Sequence, residues 1–398
     1  MITQLISPSG NVSVQDSLWF IANSDNKLEQ DFKYVFDLFE GDNQLIRAKV
    51  FPEPTTGKGY FDASPVMRNE ITFDWFTPVS PLASHFSSYL KDPDYSGQIA
   101  TRFQIRVGED FSGLTTLNLA SGNTIAYNAA VPLFNRRVPN TVTAYPEWQT
   151  NRPLKANISN TDKLMVGLKC KQNALTMNAK SYDINNTLIN NVSSGYSYQT
   201  NLTGYGTPNY REFVQLDLGV DSVTKTTGNN VFDAAYYDIS FDGLNIAPFR
   251  VYLKCERYVP VNLHFINAYG MYDSANFNLV KKLSLDVERK NFSRRDYTLN
   301  TNSVDYFDSN NVYNESRINF GSKIDWTYKL TMDYPSDAEY QWLSELIISP
   351  QIYAEIDGAY YPVSIKANNY EYREHSWGGL QPFEVEISLN QTRYGYRR

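Results

Sequence analysis

The stretch VNLHFINAYGMYDSANFNLVKKLSLDVER, residues 261–289, decides the fold class of this chain. Apolar residues alternate with polar ones from 261 to 265, as expected of a half-buried strand. A turn at 268–270 precedes a second predicted strand at 272–277, and alternation resumes at 284–288. Consecutive strands joined by short turns are typical of an antiparallel meander, which favours a scaffold over a site of chemistry.

The composition supports the same class. The chain has 398 residues, which is enough for two or three domains of ordinary size. Tyr (30) and Phe (22) are abundant, whereas Met (6) and His (3) are few, and this balance favours half-buried strands over helix bundles. We therefore predict an all-β protein of several antiparallel β-sandwich or barrel modules, with one helix packed on a sheet in the C-terminal module.

Three domains are predicted from the changes in composition along the chain. Residues 1–145 read as an N-terminal β-sandwich-like domain, 146–255 as a polar, loop-rich β domain, and 256–398 as a C-terminal β domain with one helix at about 336–349. The stretch 140–153 is rich in Pro, Thr and Asn and is the best candidate for a linker.

The N-terminal region begins with a predicted hairpin. Aromatic and aliphatic residues alternate with others over 32–38, a break follows at 41–43, and a second strand covers 45–51. This pattern predicts a hairpin with an aromatic inner face. A short helix is predicted over 80–90, because Ser80 can cap a helix and a proline follows it.

The C-terminal region contains the clearest helix signal. Ser336 and Glu339 form a capping box, and an apolar stripe follows at 342–347. Asp357-Gly358 is a strong hairpin turn signal. Strands are predicted around the helix at 323–332, 351–356, 360–366 and 383–389.

No residues are set at a spacing that predicts catalysis. His85, His264 and His375 lie on different predicted elements without a second ligand at metal-binding spacing. Glu109 and Asp110 are adjacent on a strand and would point to opposite faces, so a turn or solvated edge is the better interpretation. A glycan-cleaving enzyme would need two converging acids, and the sequence offers no such pair. We predict no catalytic residue, no metal site, no cofactor and no enzymatic activity.

Charge and hydropathy argue against two further classes of function. The net charge is −7, and no uninterrupted run of Lys and Arg is longer than a pair, so direct sequence-specific nucleic-acid binding is not expected. No apolar run is long enough to span a membrane, and the first residues do not resemble a signal peptide. We therefore expect folding in a cytoplasm. Cys170 and Cys255 are expected to be buried free thiols, with a bridge between two strands as the alternative.

The middle region contains the candidate interaction site. Residues 184–210 mix Asn, Ser, Gly and Tyr without clean periodicity, which indicates long loops or a protruding hairpin. Tyr196, Tyr198, Tyr205 and Tyr210 are the residues in it that could form a contact surface. The alternative is a solvated loop without a partner.

Five segments together resemble a known family. They are FKYVFDLFEGDNQLIRAKVFP, GYFDAS, CERY from Cys255, LHFINAYGMYDSANF and SPQIYAEIDGAYYPVSIKANNYEY. Their order resembles virion structural proteins of tailed or tail-like phages that infect Bacteroidetes. The resemblance implies a tail, hub or baseplate component. The C-terminal domain also looks like the split-barrel modules of tail tubes and hubs, which commonly assemble into rings, whereas the polar middle region departs from that pattern.

The expected function is therefore that of a phage virion structural protein that assembles by self-association. Its expected partners are other copies of itself and neighbouring virion proteins, and its expected location is the virion, after synthesis in the bacterial host cytoplasm. The alternative is a receptor- or glycan-binding module on the virion surface, with a host surface glycan or receptor as partner. Exposed tyrosines that converge on one tip would support that alternative, and tyrosines buried at subunit contacts would oppose it.

Overall fold

The structure is a computed structural model that describes residues 2–8, 10–71, 86–88, 100–120, 124–127, 147–169, 174–197, 213–228, 230–255, 258–366, 382–390 and 393–397. The chain forms two compact units. The first comprises Met1–Cys255, His264–Asn276 and Ile348–Pro350, and the second comprises Glu256–Leu263, Phe277–Ile347 and Gln351–Arg398.

The predicted all-β class is confirmed. Strands make up 54% of the chain and helices 9%, and the sheets are mostly antiparallel. Two of the described pairings are parallel, Gly10–Ser13 with Thr124–Tyr127 and Lys155–Ile158 with Phe249–Leu253. Each joins strands far apart in the chain, so the short-turn signals that predict hairpins could not reveal them.

The N-terminal part of the chain forms a β-sandwich. The elements up to residue 127 are β1 (Ile2–Ile6), β2 (Gly10–Ser13), β3 (Trp19–Ser24), β4 (Lys33–Glu40), β5 (Asn43–Val50), β6 (Gly59–Asp62), α1 (Ser64–Glu70), β7 (Phe86–Ser88), β8 (Ala100–Phe111), β9 (Leu114–Ala120) and β10 (Thr124–Tyr127). All of these strands except β7 belong to this sandwich. One sheet has the order β1-β3-β6, and the other has the order β2-β10-β8-β4-β5, with β9 on β8. Phe36 of β4 stacks on Phe61 of β6 at 5.4 Å, so the two sheets pack face to face.

The predicted N-terminal hairpin is present as β4 and β5. Tyr34, Phe36 and Leu38 are fully buried and belong to the core of the sandwich. Asp37 is buried as well, and its carboxylate accepts two hydrogen bonds from Arg47 at 2.8 and 2.6 Å. The sequence therefore predicted the aromatic inner face correctly. It did not predict that the opposite face of β4, which includes Asp37, is buried as well.

The middle part forms a second sandwich. Its elements are β11 (Glu147–Gln149), β12 (Lys155–Ile158), β13 (Met165–Lys169), β14 (Ala174–Tyr182), β15 (Leu188–Ser197), β16 (Phe213–Asp217), α2 (Val220–Thr227), β17 (Tyr236–Phe241) and β18 (Phe249–Leu253). The sheet β11-β13-β16-β7 packs on the sheet β12-β18-β17-β14-β15. Trp148 and Phe249 meet between these sheets, with ring centroids 5.6 Å apart.

The helix predicted over 80–90 is wrong where it can be compared. Phe86–Ser88 is strand β7, which pairs with β16 in the second sandwich, and the remainder of that prediction lies outside the described residues. Pairing with a distant strand overrides the local capping signal there.

Each sandwich has its own hydrophobic core. One core draws its buried residues from 2–71 and 103–126, and the other from 148–251. Both lie in the first compact unit, which also takes in His264–Asn276. The domain boundaries at 145/146 and 255/256 stay predictions.

The stretch 261–289 forms the strands that its sequence pattern predicts. They are β19 (Val261–Ile266), β20 (Tyr272–Phe277) and β21 (Lys282–Ser293). The expectation of a half-buried strand is wrong for β19, because every residue of β19 is buried, and every residue of β20 is buried as well.

Hydrogen bonds explain how polar side chains are buried in this stretch. Nδ1 of His264 lies 2.8 Å from Oγ of Ser274. Thr150 donates to Asp273 at 2.6 Å, and Arg152 donates to the Ser274 carbonyl at 2.7 Å. Because bonds of this kind replace water, the polar side of the alternating pattern enters the interior instead of facing solvent.

The C-terminal part forms a large antiparallel sheet, a helix and a separate two-stranded sheet. Its elements are β22 (Thr298–Leu299), β23 (Val304–Asp305), β24 (Arg317–Met332), α3 (Asp337–Ile348), β25 (Ile352–Ile356), β26 (Ala359–Ile365), β27 (Phe383–Leu389) and β28 (Arg393–Arg397). In the large sheet, β25, β26, β27, β24 and β21 follow one another, and β28 also pairs with β24. The two-stranded sheet consists of β22 and β23. Among the described residues, no helix is long and apolar enough to cross a membrane.

Helix α3 has the predicted cap and position. The backbone N–H and the hydroxyl of Ser336 both donate to the Glu339 carboxylate, at 2.8 and 2.7 Å. The ring of Tyr340 contacts that of Phe383 in β27 edge-on, with centroids 5.8 Å apart. The helix therefore packs on the sheet, as the capping box and apolar stripe predict.

Candidate assembly surface

The long hairpin formed by β21 and β24, residues 282–332, is the most unusual feature of the second unit. It is antiparallel, with Lys282 opposite Lys329 at one end and Ser293 opposite Arg317 at the other. In such a ladder, directly opposed residues lie on the same face of the sheet. The register therefore shows which side chains share each face.

One face of the long hairpin is apolar. Leu283 lies opposite Tyr328, Leu285 opposite Trp326, and Val287 opposite Ile324. We call these six residues the hairpin face. The opposite face near the same end is charged, and its side chains form ion pairs such as Lys329–Glu384 at 2.7 Å and Lys366–Asp286 at 3.1 Å.

The hairpin face is open to solvent. Leu283 is 51% exposed and Leu285 is 45% exposed, and none of the 12 residues of β21 is buried. Scattered exposed leucines are ordinary on a protein surface, but here they alternate on one strand beside half-buried aromatic rings. The strand is amphipathic, and within the described residues nothing covers its apolar side.

The hairpin face continues the buried face of the same sheet. Leu330 lies opposite Val385, and both are buried, as is Phe383 beneath helix α3. Tyr328, two residues along from Leu330, lies opposite the buried Ile387. The apolar surface thus begins under the helix and runs out along the hairpin, where no described element covers it.

Strand β21 is also an edge of the sheet. It pairs with β24 on one side, and the described residues provide no strand for its other side. An edge of 12 residues presents unpaired N–H and C=O groups to another chain. Charged residues such as Asp286 and Glu288 are typical protection for such an edge, and they lie on the face opposite the leucines.

A groove lies where the hairpin face meets the rest of the sheet. It has a volume of about 300 Å³. Its lining comprises Leu283, Trp326, Tyr328, Ile356, Asp357, Tyr361 and Leu389. Burial raises the pKa of Tyr328, with smaller contributions from the charge of Asp357 and from Tyr361. The rings and the carboxylate therefore share one electrostatic environment.

A tight turn places the carboxylate in this groove. Asp357 and Gly358 have φ values of +52° and +76°, and they join β25 to β26. Positive φ at both central positions defines the turn that suits the twist of a hairpin, which is why Asp-Gly predicts it. The predicted hairpin turn is confirmed.

The sequence placed the candidate site elsewhere. Tyr196 lies on β15 opposite Leu175, so this part of the region predicted as long loops or a protruding hairpin is the second strand of a hairpin. Tyr198, Tyr205 and Tyr210 lie outside the described residues. Whether these tyrosines form a contact surface stays a prediction.

The residues considered for chemistry are structural where the structure describes them. His264 is buried beside Ser274, and His85 and His375 lie outside the described residues. Glu109 is buried and accepts hydrogen bonds from Ser24 at 2.5 Å and Asn26 at 3.0 Å, so the interpretation as a turn or solvated edge is wrong for it.

Asp110 and Cys255 complete this group. Asp110 forms an ion pair with Lys49 at 2.6 Å. Cys255 is a free thiol and exposed, which corrects its expected burial, and Cys170 is not among the described residues. The described residues contain no group of three or more His, Cys, Asp or Glu that could hold a metal ion.

The comparisons with known proteins add little to this picture. No protein-family model matches the chain, and no curated protein matches it. Among solved structures, it is similar to the crystal structure of chicken CNTN1 FN1-FN3 domains, with 10% sequence identity and a TM-score of 0.18. The match covers 63% of this chain and 65% of that chain. A score this low supports no inference about function.

Proposed function

We propose that this chain is a structural protein of a phage virion, in the tail, hub or baseplate, and that it assembles by association with copies of itself. The observation that carries the proposal is the solvent-exposed hairpin face on the edge strand β21. The resemblance of the sequence to virion structural proteins supports the setting.

The energetics favour covering this face. Full burial of an exposed leucine side chain contributes about 1.5–3 kcal/mol, so covering the exposed half of Leu283 and of Leu285 contributes about 1 kcal/mol each. Trp326, Tyr328 and Ile324 are half-buried and would add to this. A single copy forgoes that stabilisation, whereas an assembly of copies gains it at every interface.

A protein partner fits this face better than nucleic acid does. The net charge of the chain is −7, which opposes a phosphate backbone. The charged face next to the hairpin face contains ion pairs such as Lys323–Asp325 at 3.1 Å. An apolar strip with a free strand edge is the surface that sheet-forming assemblies cover.

Enzymatic activity has no support in the groove. Glycoside hydrolysis requires two carboxyl groups on either side of the scissile bond. Of the described residues that line the groove, Asp357 is the only acidic one. We expect no turnover of glycans, peptides or esters by the purified protein.

Mass spectrometry of density-purified phage particles tests the proposal. We expect peptides of this chain in the particles at a stoichiometry of several copies each, and labelled antibody to mark the tail or baseplate in electron micrographs. Particles that lack the protein, from a culture that expresses it, would refute a virion role.

A further inference from the structure

The long hairpin carries a second feature, a concentration of positive charge away from the groove. The basic segment, residues 289–295, reads RKNFSRR and has four cationic side chains in seven residues. All four are exposed. Arg317 lies on the opposing strand, across from Ser293, and adds a fifth cation.

Among the described residues, these cations have no acidic side chain as an ion-pair partner. Nε of Arg294 donates to the backbone carbonyl of Glu315 at 3.0 Å. Within the described part of the chain, Arg289, Lys290, Arg294 and Arg295 form no ion pair with an acidic side chain. The basic segment is therefore a charged surface with capacity for an acidic partner.

The groove contains a carboxylate and aromatic rings, the two kinds of group that an arginine side chain binds. Its carboxylate, on Asp357, forms no ion pair with a cation among the described residues. The rings of Trp326, Tyr328 and Tyr361 line the same groove and are half-exposed. A planar guanidinium both stacks on aromatic rings and pairs with a carboxylate, so this combination suits arginine better than it suits a neutral ligand.

The far end of the basic segment, with Arg294 and Arg295, cannot reach the groove of its own copy, because Ser293 just before it lies opposite Arg317. Along β24, Arg317 and Tyr328 are separated by about 36 Å of strand, at about 3.3 Å per residue. This span is several times the length of an arginine side chain. Arg294 or Arg295 can therefore occupy such a groove only in another copy.

We propose that the groove at Asp357 binds the basic segment of a second copy of this chain. This inference rests on the proposed self-association and specifies its geometry. Donor and acceptor are different surfaces, so the contact is head-to-tail and repeats from copy to copy. Repetition closes into a ring if the rotation per copy allows it and otherwise extends into a filament.

Charge reversal on each surface tests the pairing. Arg294→Glu with Arg295→Glu makes the donor acidic, and Asp357→Lys makes the groove basic. We expect each variant alone to raise the dissociation constant between copies by about tenfold or more, because like charges then face each other. Sedimentation velocity measures this, and the melting temperature shows whether each variant is folded.

A mixture of the two variants is the decisive sample. The basic donor of one variant then faces the acidic groove of the other, and the acidic donor faces the basic groove, so we expect assemblies to return on mixing. Because Lys is strained at the positive φ of position 357, Asp357→Asn is the second variant: Asn tolerates this φ, and loss of the charge is expected to weaken assembly.

Three outcomes would overturn the inference. The wild type could assemble while both reversals leave its size unchanged. The variants could dissociate and fail to assemble on mixing. A neutral oligosaccharide could saturate the groove by tryptophan fluorescence without altering assembly. A monomeric wild type would instead refute the proposed self-association itself.

Discussion

Gln215 and Tyr272 exchange two hydrogen bonds. The side-chain oxygen of Gln215 accepts from the Tyr272 backbone N–H, and its amide nitrogen donates to the Tyr272 carbonyl, both at 2.9 Å. Gln215 is 1% exposed, on β16. A single side chain therefore satisfies the backbone groups of β20 that another strand would otherwise pair, and it fixes β20 to the second sandwich.

Replacement of this glutamine should be costly. We expect Gln215→Leu to lower the free energy of unfolding by about 2–5 kcal/mol, because a buried N–H and a buried C=O each lose a partner. Urea denaturation measures the change. Gln44→Leu, at an exposed position on β5, is the control and should change stability by less than about 0.5 kcal/mol. Equal stability of the two variants would show that water can replace Gln215 as the hydrogen-bond partner of the Tyr272 backbone.

The packing of helix α3 gives a second prediction. Trp342 is 2% exposed, so Trp342→Ala should destabilise the protein by about 3–5 kcal/mol, the usual loss for a buried large aromatic side chain. Ile348→Ala on the same helix is the control, since Ile348 is 74% exposed. Thermal unfolding measures both. An unchanged melting midpoint for Trp342→Ala would contradict the packing of this helix.

Alkaline pH should weaken the second sandwich through Tyr237. This hydroxyl is fully buried and donates to the Leu218 carbonyl at 2.6 Å. Burial raises the pKa of Tyr237 well above its ordinary value of 10.0, and the charge of Asp217 adds to the shift. The folded state thus holds a proton that the unfolded state releases near pH 10, so this contribution is complete below that pH and falls as pH rises further.

Urea denaturation midpoints between about pH 8 and about pH 11 test this dependence. We expect Tyr237→Phe to lose stability with a smaller slope above the ordinary tyrosine pKa than the wild type does. Tyr306→Phe is the control, because Tyr306 is 47% exposed. Identical slopes for the wild type and Tyr237→Phe would contradict the role of this phenol.

A further prediction concerns the number of reactive thiols in the denatured and in the folded protein. We expect two free thiols per chain in the denatured, unreduced protein, since Cys255 is free. In the folded protein Cys255 should react with a thiol reagent because it is exposed, and Cys255→Ser should lower the folded-state count by one. A denatured count of zero would establish a bridge between Cys170 and Cys255.

The sequence predicted the elements whose signals are local. The cap at Ser336, the turn at Asp357 and the alternation in β4 each act over a few residues, and each appears in the structure. Helices α1 and α2 were missed, because 7 and 8 residues are too few to show a helical period. The burial of β19 and β20 was missed as well, since it depends on partners such as Thr150, which is distant in the chain.

The candidate surface could be predicted only in part. The alternation around Leu285 and the strand around Trp326 were read correctly, and they show that one face is apolar. An apolar face normally predicts burial. The local sequence pattern is the same whether that face is covered by the same chain or by another copy. The charge and φ preference of Asp357 are visible in the sequence, but its place in an aromatic groove depends on the sheet order.

Light scattering on three proteins tests the central claim, that another copy covers the hairpin face. Leu285→Asp puts a carboxylate on that face, and Ser284→Asp puts the same group on the opposite face of the same strand, across from Thr327. Burial of an unpaired charge is costly, so only the first substitution should block association.

We predict a defined assembly for the wild type and for Ser284→Asp, and a monomer with an unchanged melting temperature for Leu285→Asp. A wild type that stays monomeric at every concentration, or a Leu285→Asp variant with the molar mass of the wild-type assembly, would contradict the account.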